Sequence, residues 1–96
     1  MSTFQNDVNE VIEIITSQKN KGGSGSHTLG LHRCDKRAVN AAIRQLLTDG
    51  KIELHSGLST VTFKSVPKLD GTPNDKWTVN HFSKVLSTMN YSIYLA

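Results

Sequence analysis

The sequence predicts an α+β domain in which amphipathic helices pack on a small antiparallel sheet. Apolar residues recur every three or four positions within residues 4–18 and 35–49, which is the spacing of one helical face. Gly50 directly follows the second segment, and residues 51–55 then alternate between polar and apolar side chains, as strands do, with Val61 and Phe63 two positions apart on a return strand. This order of helix, glycine and β-hairpin is the main structural signal of the chain.

The composition indicates one small intracellular domain. The 96 residues, 36% hydrophobic and 20% charged, suit a single globule spanning 1–96. No apolar run approaches the roughly 20 residues that cross a bilayer, and the polar N-terminus does not resemble a leader peptide. Cys34 is the single cysteine, so no internal disulfide can form. We therefore expect no membrane association and a reducing compartment, cytoplasmic or nuclear.

The N-terminal third predicts a first helix from Phe4 to about Gln18. The segment KNKGGSGS, residues 19–26, predicts a flexible loop that is either native or an engineered linker, because Gly and Ser resist ordering. Leu29 and Leu31 alternate as in a short strand, although a helix-turn-helix would place its second helix in residues 27–34. That second helix is predicted to be one short turn or absent.

The helix of residues 36–49 is the best-defined element. Asp35 is a natural N-cap, and Gly50 can end the helix in a left-handed conformation. At 100° per residue one side of the helix collects apolar residues, namely Val39, Ala42, Ile43, Leu46 and Leu47. The opposite side, predicted to face outward, carries Arg37, Asn40, Ala41, Arg44 and Thr48.

A hairpin and a C-terminal segment complete the predicted elements. Ile52 and Leu54 face inward on the first strand, residues 56–58 turn the chain, and Val61 and Phe63 face back on the return strand. A turn-rich stretch after Pro67 precedes a helix from about Trp77 to Met89, and residues 91–96 form a strand or pack on the body. The core is placed at about 4–65. The extension 66–96 either completes the core or forms a dimer contact.

The sequence contains no convincing catalytic or metal motif. A nucleophile elbow, a phosphate loop and a zinc-protease signature are all missing. His27, His32 and Cys34 are zinc-binding residue types, but they lack the paired spacing and the full ligand set of structural zinc sites. We therefore predict no enzyme activity, no metal and no cofactor. Trp77, Tyr91 and Tyr94 are interpreted as core residues rather than base-stacking ones.

Cationic residues concentrate on the central helix and hairpin. The chain has a net charge of +3, and residues 36–65 hold five cationic side chains against Asp49 and Glu53. Arginine can bind guanine edges or phosphate, and asparagine can bind adenine. The predicted nucleic-acid contacts are Lys36, Arg37, Asn40 and Arg44 on the helix, with Ser56, Ser59 and Lys64 at the hairpin. The alternative is an ordinary solvated helix face and a polar turn.

Residues 39–64, VNAAIRQLLTDGKIELHSGLSTVTFK, resemble the winged helix-turn-helix superfamily over roughly 28–65. Within KRAVNAAIR, Lys36 and Asn40 are also similar to the contact residues of Z-form nucleic-acid-binding (Z-alpha) domains. Arg44 replaces the tyrosine of those domains, and the paired prolines of their wing are missing, which argues against Z-form recognition. The broader resemblance implies a winged helix, about three helices with a hairpin wing and here a C-terminal helical extension. It also implies DNA binding, commonly as a dimer in transcription control.

The first hypothesis is therefore a small DNA-binding transcriptional regulator that reads the major groove with residues 36–49. A protein-binding winged-helix adaptor, or a small inhibitor of a host complex from a virus or mobile element, is the second. An RNA-binding component is the third. A homodimer through the C-terminal helix is compatible with each of them.

Overall fold

The computed structural model describes residues 3–18, 23–56, 59–61 and 79–96. These residues form an α+β fold, as predicted. In chain order the elements are α1 (Thr3–Thr16), β1 (Ser24–Gly25), a 3₁₀ turn (Leu31–Arg33), α2 (Lys36–Thr48), β2 (Ile52–Ser56), β3 (Ser59–Val61), α3 (Val79–Ser87) and β4 (Ser92–Leu95). None of the helices in these ranges has the length and apolar character that crossing a bilayer requires.

Helices α1 and α2 pack against each other through their apolar faces. Asp35 caps α2, since its Oδ1 accepts the backbone N–H of Arg37 at 2.8 Å. The helix ends before Gly50, whose φ of +70° is the left-handed conformation that glycine adopts most readily. The predicted inward positions of α2 are all buried, together with Ala38. The buried residues of the two helices are Val8, Val11, Ile15, Ala38, Val39, Ala42, Ile43, Leu46 and Leu47.

The sheet has the strand order β1-β4-β2-β3, and every pairing is antiparallel. The predicted hairpin is present: β2 pairs with β3 in the register Leu54↔Val61 to Ser56↔Ser59. Ile52 and Leu54 are buried, as predicted. The turn residues 57–58 and Phe63 lie outside the described residues, so their predicted roles stay predictions.

The prediction of a flexible loop over residues 19–26 is wrong for residues 23–26. Ser24 and Gly25 pair with Ile93 and Ser92 of β4, and the Ser26 hydroxyl donates to the Met89 carbonyl. Gly23 has φ +85°, and a Cβ at that position would come within 2.6 Å of the Tyr94 ring. Glycine is therefore required at position 23, because the backbone there runs against an aromatic ring.

Residues 27–34 form a turn followed by the 3₁₀ turn, and not a strand. Leu31 is buried and Leu29 is half-buried. Gly30, at φ +78°, changes the chain direction just before the 3₁₀ turn. Of the two predicted alternatives, one short turn or no second helix, the structure shows a short turn.

The C-terminal segment belongs to the core, which corrects the predicted core limit near residue 65. Phe82 and Leu86 of α3 are buried in the same apolar cluster as Ile93 of β4 and Tyr91 before it. Strand β4 lies between β1 and β2, with Ile52 paired to Leu95 and Leu54 paired to Ile93. Of the two roles left open for this segment, completing the core is the one observed. Trp77 lies outside the described residues.

We expect Phe82→Ala to lower the free energy of unfolding by about 3–5 kcal/mol, because the substitution leaves a cavity in a well-packed core. Phe82 is 0% exposed. Urea denaturation followed by circular dichroism measures the change. Leu95→Ala is the matched control, since Leu95 is 42% exposed and its truncation should cost well under half as much. Equal losses in the two variants would show that α3 is not a core element.

Candidate functional site

The N-terminal end of α2 carries an exposed cluster of basic side chains. His32 and Arg33 lie on the 3₁₀ turn, and Lys36 and Arg37 occupy the first turn of α2. Among the described residues, no carboxylate lies within salt-bridge distance of Arg33, Lys36 or Arg37. The first turn of α2 also lacks acidic residues. Arg33, Lys36 and Arg37 outnumber the single carboxylate of the Asp35 N-cap, so a net positive charge remains at this end of the helix.

Arg37 is positioned by an aromatic ring of α1. Its guanidinium carbon lies 5.9 Å from the centroid of the Phe4 ring, the geometry of a weak cation–π contact. Phe4 is exposed, at 41% of its surface, so the pair lies at the surface of the domain. The contact restricts the arginine stem while leaving the residue exposed.

The predicted outward face of α2 does not face open solvent along its whole length, because α3 lies beside it. A groove of about 470 Å³ separates the two helices, and we call it the α2–α3 groove. All four helix residues predicted as nucleic-acid contacts line it, and α3 contributes Ser83 and Ser87. The four are Lys36, Arg37, Asn40 and Arg44.

Asn40 and Arg44 are less available than predicted. The Asn40 Nδ2 donates to the Ser83 hydroxyl at 3.0 Å, so part of its amide is already bound within the domain. Arg44 is half-buried, with its Nε shielded from solvent. The prediction that both side chains project freely outward is therefore wrong, because the helical pattern of α2 does not show that α3 covers its middle.

The walls of the α2–α3 groove are largely apolar. Leu31, Val39 and Leu86 are buried, and Ala41 and Met89 are half-buried. The groove thus combines an aliphatic interior with cationic residues along α2.

The hairpin residues predicted to contact nucleic acid are only partly described. Ser56 ends β2 and is half-buried, and its Cα pairs with that of Ser59 on β3. Lys64 lies outside the described residues. His55, one position before Ser56, contacts the Tyr94 ring at a centroid distance of 4.3 Å. Its Nε2 is also 3.7 Å from a Glu53 oxygen. The wing contacts stay predictions.

His27 and Cys34 lie close to His32 of the basic cluster. The two imidazole rings are 4.7 Å apart between centroids, and the Cys34 thiol contacts the Gly30 carbonyl at 3.8 Å. The described residues contain no group of three His, Cys, Asp or Glu side chains placed to hold a metal ion. Burial raises the pKa of the Cys34 thiol, and the negative charges of Glu10 and Asp7 raise it further. The thiol is thus a poor nucleophile.

Tyr91 is a buried polar residue beneath this region. The side chain is 4% exposed, and its hydroxyl has no hydrogen-bond partner within the part of the chain that the structure describes. Burial raises the pKa of the Tyr91 hydroxyl, and the nearby Cys34 raises it further. The prediction that Tyr91 is a core residue rather than a base-stacking one agrees with this burial.

Sequence patterns did not identify the α3 side of the groove or the basic residues of the 3₁₀ turn. Arg33 and His32 are recognisable as basic residues, and a short second helix placed before α2 would have brought them next to Lys36. Ser83 and Ser87 give no such signal, because neither apolar periodicity nor charge marks a serine that faces another helix.

Comparison with known proteins gives no match for this chain among protein-family models, curated proteins or solved structures.

A double-mutant cycle tests the contact between α2 and α3. We expect Asn40→Ala and Ser83→Ala to be coupled by about 0.5–1.5 kcal/mol in unfolding free energy, the net contribution of one hydrogen bond. The matched control pairs Asn40→Ala with Ser87→Ala, since the Ser87 hydroxyl donates to the Lys84 carbonyl instead. Coupling of the same size in both cycles would contradict a specific Asn40–Ser83 contact.

The raised pKa of the Tyr91 hydroxyl predicts that the fold loses stability at high pH. A folded-state pKa above the ordinary value of about 10 means that the folded protein holds this proton more tightly than the unfolded chain. The resulting stabilisation is complete below pH of about 10, and above it declines by at most about 1.4 kcal/mol per pH unit.

Urea denaturation between neutral pH and pH of about 11 measures this effect. Tyr91→Phe should remove most of the decline, and at neutral pH it should stabilise the fold by about 1 kcal/mol because it deletes an unpartnered buried hydroxyl. Tyr94→Phe is the matched control, since Tyr94 is only half-buried, and it should retain the decline. A Tyr91→Phe protein with the wild-type pH profile would disprove the assignment.

Proposed function

We propose that the chain is a winged-helix DNA-binding domain that acts in transcription control. The N-terminal half of α2 enters the major groove in this proposal. The observation that carries it is the exposed basic cluster at the start of α2, formed by His32, Arg33, Lys36 and Arg37. The positive end of the helix dipole repels cations, so cationic side chains at the N-terminus do not stabilise the helix itself. Binding to a phosphate backbone gives them a role there.

The scaffold supports this use of α2. Six residues of α2 are buried against the core, and the Asp35 cap fixes the first turn. The element order also fits a winged helix: a helix, a short strand, an abbreviated helical turn, α2 and then antiparallel strands. A rigid helix whose end projects cations can hold them in register with phosphates.

The candidate contact residues have distinct proposed roles. Arg37 is placed for base edges or phosphate, because its planar guanidinium can form paired hydrogen bonds. Lys36 and Arg33 are placed for phosphates. Asn40 and Arg44 are proposed as secondary contacts, because α3 restricts them. Ser56, Ser59 and Lys64 remain the proposed wing contacts.

The proposed homodimer would need a surface other than the apolar face of α3. Phe82 and Leu86 are buried inside this chain's own core. Val85 and Met89 are half-buried against that core. A two-fold contact through α3 would therefore use its polar, exposed side.

Binding to a protein is the second candidate function. Its support is the partial covering of Asn40 and Arg44, which leaves fewer free groups to read bases than a fully exposed helix would. The response to salt separates the candidates, because only phosphate binding releases counterions and weakens steeply with ionic strength.

The test is fluorescence anisotropy with a mixed-sequence DNA duplex over a series of salt concentrations. We expect Lys36→Ala combined with Arg37→Ala to weaken binding by about 2–4 kcal/mol, because both cations contact the duplex. The slope of log K against log salt should fall by about 1 for each phosphate that the variant no longer neutralises.

Lys51→Ala combined with Lys84→Ala is the matched control. Both lysines are exposed and lie outside the basic cluster, so this variant loses the same net charge. If the two double variants lose the same affinity for DNA, the binding is a general attraction between positive charge and phosphate and not a property of the basic cluster. An affinity that does not depend on salt would favour the protein-binding function.

A further inference from the structure

We propose that the α2–α3 groove is a binding site for a small amphipathic anion, an apolar molecule that carries a single carboxylate. Such a site goes beyond nucleic-acid binding, because it requires an apolar body as well as a negative charge.

The size and walls of the groove favour an apolar body. Its volume is about 470 Å³, within the range of about 300–1,000 Å³ typical of small-molecule sites. Leu31, Val39, Ala41, Leu86 and Met89 supply aliphatic or thioether surface. A few polar groups in a mostly apolar cleft are the usual composition of a ligand site.

The charge of the lining favours an anion. Lys36, Arg37 and Arg44 line the groove, and none of its described lining residues is acidic. Lys36 and Arg37 are exposed, so they can contact a carboxylate while the apolar body lies deeper. A carboxylate offers Lys36 and Arg37 an ion-pair partner that a neutral ligand lacks, and inorganic phosphate would not use the apolar walls.

Several polar groups of the described groove lining already have hydrogen-bond partners within the domain. Asn40 donates to the Ser83 hydroxyl, and the Ser87 hydroxyl donates to the Lys84 carbonyl. Among the described lining residues, the Asn40 amide and the two serine hydroxyls are therefore less available to a ligand. This arrangement favours an aromatic or aliphatic acid over a sugar or a nucleotide.

Occupation of the groove has a consequence for DNA, which rests on the proposed function. Lys36 and Arg37 would contact either the carboxylate or the phosphates. The ligand would then be an effector that releases the domain from DNA. The binding site itself does not depend on this consequence.

The probe for the experiment is naphthalene-2-carboxylate, a rigid apolar acid, titrated into the ¹⁵N-labelled full chain and followed by ¹H–¹⁵N NMR. We expect saturable shifts concentrated in residues 31–44 and 83–89. Naphthalene-2-methanol has the same ring system without the charge, and it should bind about tenfold more weakly. Lys36→Gln combined with Arg37→Gln should remove most of the difference between the two probes.

Two variants test the location of the site. Ala41→Leu fills the groove from α2, and Ser87→Leu narrows it from an exposed position on α3, independently of the core. Each should weaken binding of naphthalene-2-carboxylate about tenfold. Thr48→Leu is the matched control, because Thr48 is exposed on α2 and is not among the lining residues, and it should leave the affinity unchanged.

Several results would overturn the proposal. These are shifts that do not saturate, equal affinity for the acid and the alcohol, and full binding by both leucine variants. Shifts of the same amides on dilution without a ligand would assign the groove to a second copy of the chain. Shifts caused by an acidic helical peptide but not by naphthalene-2-carboxylate would assign it to a protein partner. A protein that binds the acid but not DNA retains this site and loses only the proposed function.

Discussion

The position of β4 between β1 and β2 is the constraint on which the rest of the structure depends. Strand β4 pairs with β1, which follows α1 in the chain. It also pairs with β2, which follows α2. Ile93 is fully buried at the centre of this ladder. Because α3 ends only a few residues before β4, the same pairing fixes α3 beside α2. The α2–α3 groove is thus a product of sheet topology.

The parts of the fold that local physics determines were predictable. The boundaries of α2 follow from the Asp35 cap and Gly50, and its buried face follows from apolar spacing. Strand β2 follows from the alternation of Ile52 and Leu54 with polar residues. These features need no knowledge of distant contacts. The α+β class was therefore predictable, as was the hairpin backbone through residue 61.

The parts that depend on distant contacts were not predictable from periodicity. The glycine- and serine-rich stretch reads as a linker, yet Ser24 and Ser26 are buried because β4 and Met89 supply partners for their backbone or hydroxyl groups. The same limit applies to the site. The cations of α2 follow from its helical pattern, whereas the half-burial of Arg44 and the Asn40–Ser83 contact depend on where α3 lies. The predicted outward face of α2 therefore has two chemical environments. Its start is exposed, and its middle is partly covered by α3.

The two-residue strand β1 covers part of the outer edge of β4, at Ser92 and Ile93. If the Gly23 backbone could no longer lie against the Tyr94 ring, β1 would detach and β4 would become an edge strand. Its unpaired amides and carbonyls would then be a template for strand addition, the usual start of edge-to-edge aggregation. A tag or cleavage site placed at residues 23–26 would consequently expose this edge.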